Sequence, residues 1–169
     1  RKPSRGERAP RSRTCSTVLW MAVRSPTGRP RTKATTWRVD SSRCEMTQAQ
    51  WQRHTGRNPS TYRIGGGLTK IDSLRHPVEL VSWEECDVVL RQLDLCLPTE
   101  AQWEHAYRAG TTTPWPFGPT AESLRGHENL ADVTARDRGT NRRLRFIDWL
   151  DDGWFVHAPV GSFAPNGFG

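Results

Sequence analysis

The chain has 169 residues, of which 34% are apolar, and it carries a formal net charge of +7. A chain of this length can bury one core, and its eight tryptophans offset the low apolar content with large buried areas. No stretch approaches the length of a transmembrane helix, so we expect no membrane partner. The charge is uneven: residues 1–43 hold 12 Lys/Arg and 2 Asp/Glu, whereas residues 44–169 hold 13 and 16. This distribution indicates a basic leader of net +10 on a domain of net −3.

The basic leader, residues 1–43, has two interpretations on composition alone. Its charge can indicate a nucleic-acid arm, but no recognition motif accompanies it, and we expect no specific nucleic-acid partner. Its Arg-, Ser-, Thr- and Pro-rich composition is typical of a disordered tail, which is the interpretation we favour. The apolar run at residues 16–23 begins like a signal peptide, but Arg24 ends it and no cleavage site follows. We therefore expect a cytoplasmic location.

One local pattern predicts three short helices. A Ser or Thr at the N-cap is followed three residues later by Gln or Glu, which forms a capping box. Gly56 and Gly110 are placed to end the first and third helices in the left-handed conformation. We expect Trp51, Cys86 and Trp103, each at the fourth helical position, to anchor the helices in one shared core. The three capping pairs are Thr47/Gln50, Ser82/Glu85 and Thr99/Gln102.

The remainder of the chain predicts loops with little regular structure. A short strand is predicted at Val78–Val81, before the second helix. The glycines at residues 65–67 lack the flanking strand and Lys-Ser/Thr helix that a phosphate-binding loop requires. After Gly110, Gly and Pro interrupt every alternating segment. These features indicate an α+β chain that is rich in loops.

Several motifs occur in series along this chain, and together they resemble the formylglycine-generating, or sulfatase-modifying-factor, family over residues 44–169. The resemblance implies a C-type-lectin-like fold that is C-terminally incomplete here. Residues 1–43 lack the expected family pattern, so a third interpretation of the leader is a non-native, out-of-frame translation. The motifs are LPTEAQWEHAYRAG at 97–110, EMTQAQW at 45–51, NPS at 58–60, HPVELVSW at 76–83, ENLAD at 128–132 and DGWFVHAPVGSFAPNGFG at 152–169.

The resemblance also implies a chemistry, the oxygen-dependent oxidation of a sulfatase cysteine to formylglycine. In the family, a pair of cysteines near the C-terminus carries this reaction and holds copper(I), a soft ion that thiolates suit. We assign no catalytic residue, because the resemblance ends before that pair. We expect an inactive, monomeric fragment of a bacterial enzyme, with copper and a sulfatase-like protein substrate only at full length. The alternative is a non-catalytic module that binds a ligand or protein on the same scaffold. The cysteines present are Cys15, Cys44, Cys86 and Cys96.

Two loops carry oxygen-bearing residues of the kind that calcium prefers. An Asp-Asp-Gly sequence is also typical of an ordinary turn, so the residues alone leave both interpretations open. The resemblance implies a structural calcium ion held by the side chains of Asn129 and Asp152 and the carbonyls of Leu130 and Trp154. We therefore expect Asn129 and Asp152 to approach each other, with Asp151 pointing away. The five histidines show no metal-binding spacing, and we expect no histidine-ligated metal.

Overall fold

The computed structural model describes residues 23–24, 42–66, 71–139 and 145–169. Most of the basic leader, including Cys15 and the apolar run at 16–22, lies outside the described residues, as does residue 67 of the glycine run. A 3-10 turn occupies Ala121–Leu124. Helices and few strands agree with the predicted α+β class. The other elements are β1 Val23–Arg24, α1 Gln48–Thr55, α2 Trp83–Arg91, β2 Leu95–Cys96, α3 Glu100–Arg108 and α4 Val133–Asp137.

The three predicted capping boxes are confirmed. At the start of α1, α2 and α3, the N-cap hydroxyl accepts a hydrogen bond from the N3 backbone N–H, and the N3 side chain accepts one from the N-cap N–H. Gly56 ends α1 at φ 75°, and Ala109 and Gly110 follow α3 at φ 48° and 85°. Such positive φ values cost glycine little. Interactions within four residues therefore set the limits of these helices.

The strand predicted at Val78–Val81 is wrong. This part of the structure contains an isolated bridge, between Thr47 and Pro77, and no ladder follows it through the described residues 78–81. Leu80 takes a φ of 56°, a left-handed conformation that is uncommon for leucine and turns the chain out of an extended path. Strand pairing is found instead between β1 and β2, which are antiparallel.

The main core, which we call the N-terminal core, lies between α1, α2 and the segment that precedes α2. No residue of α3 is buried, so the prediction that Trp103 anchors this core is wrong. Trp103 is half-buried and stacks on Tyr107, with ring centroids 5.1 Å apart. Helical spacing places these rings on one face but does not decide what covers that face. The buried members of the core are Trp51, Val78, Val81, Cys86, Val89 and Leu90.

The chain after α3, which we call the loop region (residues 111–139 and 145–169), packs differently. It contains few buried hydrophobic residues, and two of them are alanines. Hydrogen bonds from side chains to backbone groups connect its loops. Asn166 Nδ2, for example, donates to the carbonyls of Ala106 at 2.7 Å and Tyr107 at 3.0 Å. These bonds satisfy carbonyls at the C-terminal end of α3. The buried apolar residues are Leu124, Ala135, Leu150 and Ala158.

In the described part of the chain, every helix is too short or too polar to cross a bilayer.

Candidate functional site

Asn129 and Asp152 lie in contact, although they are far apart in the sequence. Asn129 Nδ2 donates a hydrogen bond of 2.8 Å to Asp152 Oδ2 across 23 positions. The same carboxylate oxygen accepts the backbone N–H of Leu130 at 3.0 Å. Asp152 Oδ1 accepts the N–H of Trp154 at 2.8 Å. The four residues named for calcium therefore gather around one carboxylate.

Two further aspartates connect this site to α4. Asp132, the N-cap of α4, accepts the N–H of Ala135 on Oδ1 at 3.1 Å and the N–H of Asp152 on Oδ2. Asp151 Oδ1 accepts the Thr134 hydroxyl at 2.6 Å and an N–H from its own turn. The carboxylate of Asp151 thus faces α4 rather than Asn129. Both bridges join α4 to the Asp-Asp-Gly turn at residues 151–153.

The Asp152 carboxylate accepts three N–H hydrogen bonds, but it has no basic partner among the described residues. Burial raises the pKa of Asp152 above its ordinary value, and the nearby negative charge of Asp132 raises it further. Hydrogen bonds from Trp154, Leu130 and Asn129 act in the opposite direction. Among the described residues, no Lys or Arg forms an ion pair with Asp132 or Asp152. A cation at this position would therefore offset the repulsion between the Asp132 and Asp152 carboxylates.

The residue types suit a hard cation, but the arrangement differs from the predicted one, because Leu130 and Trp154 present their backbone N–H groups, not their carbonyls, to the Asp152 carboxylate. Carboxylate, amide and main-chain oxygens are the ligands that calcium takes, and the four residues offer these types. Asn129, however, presents its amide nitrogen to Asp152. A half-turn of that amide would exchange nitrogen for oxygen and set two oxygens face to face, which is favourable with a cation between them. No cluster of three or more His, Cys, Asp or Glu side chains suited to metal occurs in the described residues, and the four-residue set has one carboxylate.

A pair of histidines, His76 and His157, forms a second polar centre, which the sequence analysis did not predict. His76 Nδ1 lies 2.9 Å from His157 Nδ1 and 3.0 Å from the His157 carbonyl, across 81 positions. Burial lowers the pKa of His76, and neighbouring His157 lowers it further, whereas its bond to the His157 carbonyl and the charge of Asp72 oppose the change. The ring of His76 also meets Trp154 edge-on, at 6.1 Å between centroids. The pair therefore adjoins the Asp152 turn.

His157 leaves one polar atom without a partner. Its Nε2 is buried and has no hydrogen bond within the described part of the chain. The nearest carboxylate oxygen, Glu79 Oε1, lies 3.7 Å away, and it accepts the N–H of Tyr62 at 2.7 Å instead. Both histidines fall inside the motifs HPVELVSW and DGWFVHAPVG, and membership of those motifs was the available signal.

Buried amides extend this polar centre towards α1. Gln48 is fully buried, and its Nε2 donates to the carbonyl of Tyr62 at 2.8 Å. Its Oε1 accepts from Asn58 Nδ2 at 2.8 Å. Ser60 is also fully buried and its hydroxyl accepts the N–H of Glu79 at 3.1 Å. These bonds fix the loop that carries the NPS motif, and they account for its polar residues structurally.

The cysteines of the described chain form no disulfide. Cys86 is buried in the N-terminal core, as predicted, and burial raises the pKa of its thiol to about 11. A thiol with that pKa is protonated at neutral pH and is a poor nucleophile. Cys44 is exposed and Cys96 is half-buried. Cys86 is therefore not an activated thiolate.

Comparison with known proteins places the chain in a family. The family model described as "Sulfatase-modifying factor enzyme 1-like domain" matches residues 21–169. The chain belongs to the sulfatase-modifying factor family. The match begins 23 residues before the boundary at residue 44 that the motifs indicated. No solved structure matches the chain.

The similar curated proteins are formylglycine-generating enzymes. The one from Thermomonospora curvata is 34% identical over 107 residues, which cover 62% of this chain and 32% of the relative. The one from Mycobacterium tuberculosis is 35% identical over 98 residues, 58% of this chain and 30% of the relative. The mouse protein is 30% identical over 95 residues, 56% and 23%. The chain thus matches about a third or less of the length of these relatives.

Proposed function

We propose that this chain is part of a formylglycine-generating enzyme and supplies a calcium-binding section of its C-type-lectin-like scaffold. The observation that supports this most is the contact between Asn129 and Asp152, which joins two family motifs across 23 positions. The Asp152 carboxylate also accepts the N–H groups of Leu130 and Trp154, which brings both residues to the same place. Calcium would supply positive charge there and cross-link the two loops.

Each residue of the proposed site has a separate task. Asp152 provides the anionic oxygens, and Asn129 provides an amide oxygen after its half-turn. The backbone carbonyls of Leu130 and Trp154 would provide the two remaining ligands from the protein. Because Asp152 is half-buried and lacks a basic partner among the described residues, the cation would interact with it strongly.

The calcium proposal is tested by thermal unfolding of the chain in calcium and in chelator. A ligand that binds the folded state alone stabilises it by about 2.7 kcal/mol at 100 times its Kd, which raises Tm by several degrees. Asp152→Ala should abolish the rise. The control is Asp137→Ala, which removes an exposed carboxylate paired with Arg136 and should leave the rise intact. A Tm that is the same in calcium and chelator would contradict the proposal.

The oxidation itself is proposed for the full-length enzyme rather than for this chain. There a cysteine pair with copper would act on a sulfatase cysteine, and the buried thiol of Cys86 is unsuited to that role. We expect the chain alone to leave a Cys-x-Pro-x-Arg peptide unchanged in the presence of copper and oxygen. Mass spectrometry detects the aldehyde directly, and its formation above an enzyme-free control would place the chemistry within these residues.

A further inference from the structure

Asp132 is a buried residue whose carboxylate accepts two separate hydrogen bonds. Its exposed fraction is 0%, which is rare for an aspartate. One oxygen caps α4 by accepting the N–H of Ala135 at 3.1 Å, and the other accepts the N–H of Asp152. The first bond is local, and the second spans 20 positions. A hydroxyl at this position would suffice for the first bond alone.

The second bond fixes the main chain of the proposed calcium ligand. Because the N–H of Asp152 points at Asp132, the peptide plane that precedes Asp152 has one orientation. That plane ends at the Cα atom of Asp152, from which the side chain extends to Asn129 and the N–H of Leu130. The direction of the calcium-binding carboxylate therefore depends on Asp132.

We propose that Asp132 is the positioning residue of the calcium site, a role that rests on the proposed function above. It is not one of the four proposed ligands; it accepts the main-chain N–H of Asp152 and places a second negative charge near the Asp152 carboxylate. Groups that orient metal ligands in this way change metal affinity by about 10- to 100-fold when they are removed.

The chain contains a matched control for this role. Asp151 also joins the turn to α4, through the Thr134 hydroxyl at 2.6 Å, and it also bonds an N–H of the turn, that of Gly153 at 3.1 Å. It is exposed and does not bond the N–H of Asp152. Asp151→Asn thus removes one charge and weakens one bridge to the same helix without releasing the Asp152 main chain.

The experiment measures calcium affinity of the full chain by calorimetry, with unfolding in chelator measured in parallel. Two variants test Asp132: Asp132→Asn keeps the size, and Asp132→Ser keeps a helix cap but is too short to reach Asp152. We expect both to raise the Kd for calcium by about 10- to 100-fold. We expect Asp151→Asn to stay within about threefold of the parent chain, since surface changes have small effects.

Three results would overturn the assignment, and they differ from one another. If the parent chain binds calcium and both Asp132 variants bind it equally well, Asp132 does not position the site, although the site stands. If the parent chain binds no calcium, the proposed function fails and the role of Asp132 fails with it. If both variants stay unfolded even in excess calcium, Asp132 supports the fold as a whole rather than the site.

Discussion

The N-terminal core and the loop region are stabilised by different kinds of contact. In the N-terminal core, α1 and α2 pack around Trp51 and Leu90, both 0% exposed. In the loop region, the carboxylates of Asp132 and Asp152 and the amide of Asn166 bond to backbone groups of distant segments. Apolar side chains offer a calcium ion no ligand, whereas carboxylates do. The comparison therefore places any effect of calcium in the loop region.

Among the changes that test this comparison, Trp51→Ala should cause the largest loss of unfolding free energy. Trp51 lies at the centre of the N-terminal core, and removal of a large buried aromatic costs about 3–5 kcal/mol of unfolding free energy. Trp103→Ala is the matched change on α3, where the ring is half-buried and stacks on Tyr107. It should cost only about 1–2 kcal/mol. Chemical denaturation measures both.

Equal costs for the two substitutions would contradict the division of the molecule. They would mean that α3 shares the N-terminal core, as its capping pattern alone suggests. A loss of less than about 1 kcal/mol for Trp51→Ala would show that this ring is not the centre of the packing.

The same division explains what the sequence could predict. Capping boxes such as Thr47 with Gln50 are complete within four residues, so they are legible in the sequence and are confirmed. The left-handed turn at Leu80 and the half-burial of Trp103 depend on distant segments, and both predictions that ignored those segments are wrong. The contact between His76 and His157 joins positions 81 residues apart, with no local signal. Calcium binding remains a prediction from family resemblance.

A smaller effect is expected from pH at the histidine pair. Burial and neighbouring His157 lower the pKa of His76 in the folded chain. The unfolded chain therefore takes up this proton at a higher pH than the folded chain does. The stability contribution is complete above a pH of about 6.5 and falls as the pH decreases towards the folded pKa. For one proton the slope cannot exceed about 1.4 kcal/mol per pH unit.

Denaturation at pH 7.5 and at pH 5.5 measures this effect. His76→Gln should lower stability at both values but reduce the difference between them, because the titrating group is gone. A variant that keeps the full pH dependence of the parent chain would assign that dependence to other groups.

Amide hydrogen exchange with and without calcium tests the central comparison most directly. The N–H groups of Leu130, Asp152 and Trp154 all donate to aspartate carboxylates of the proposed site. We predict that calcium slows their exchange by at least about tenfold and leaves α1 nearly unchanged, since local opening costs differ between regions. Equal protection of α1 and the loop region, or none in either, would contradict the account.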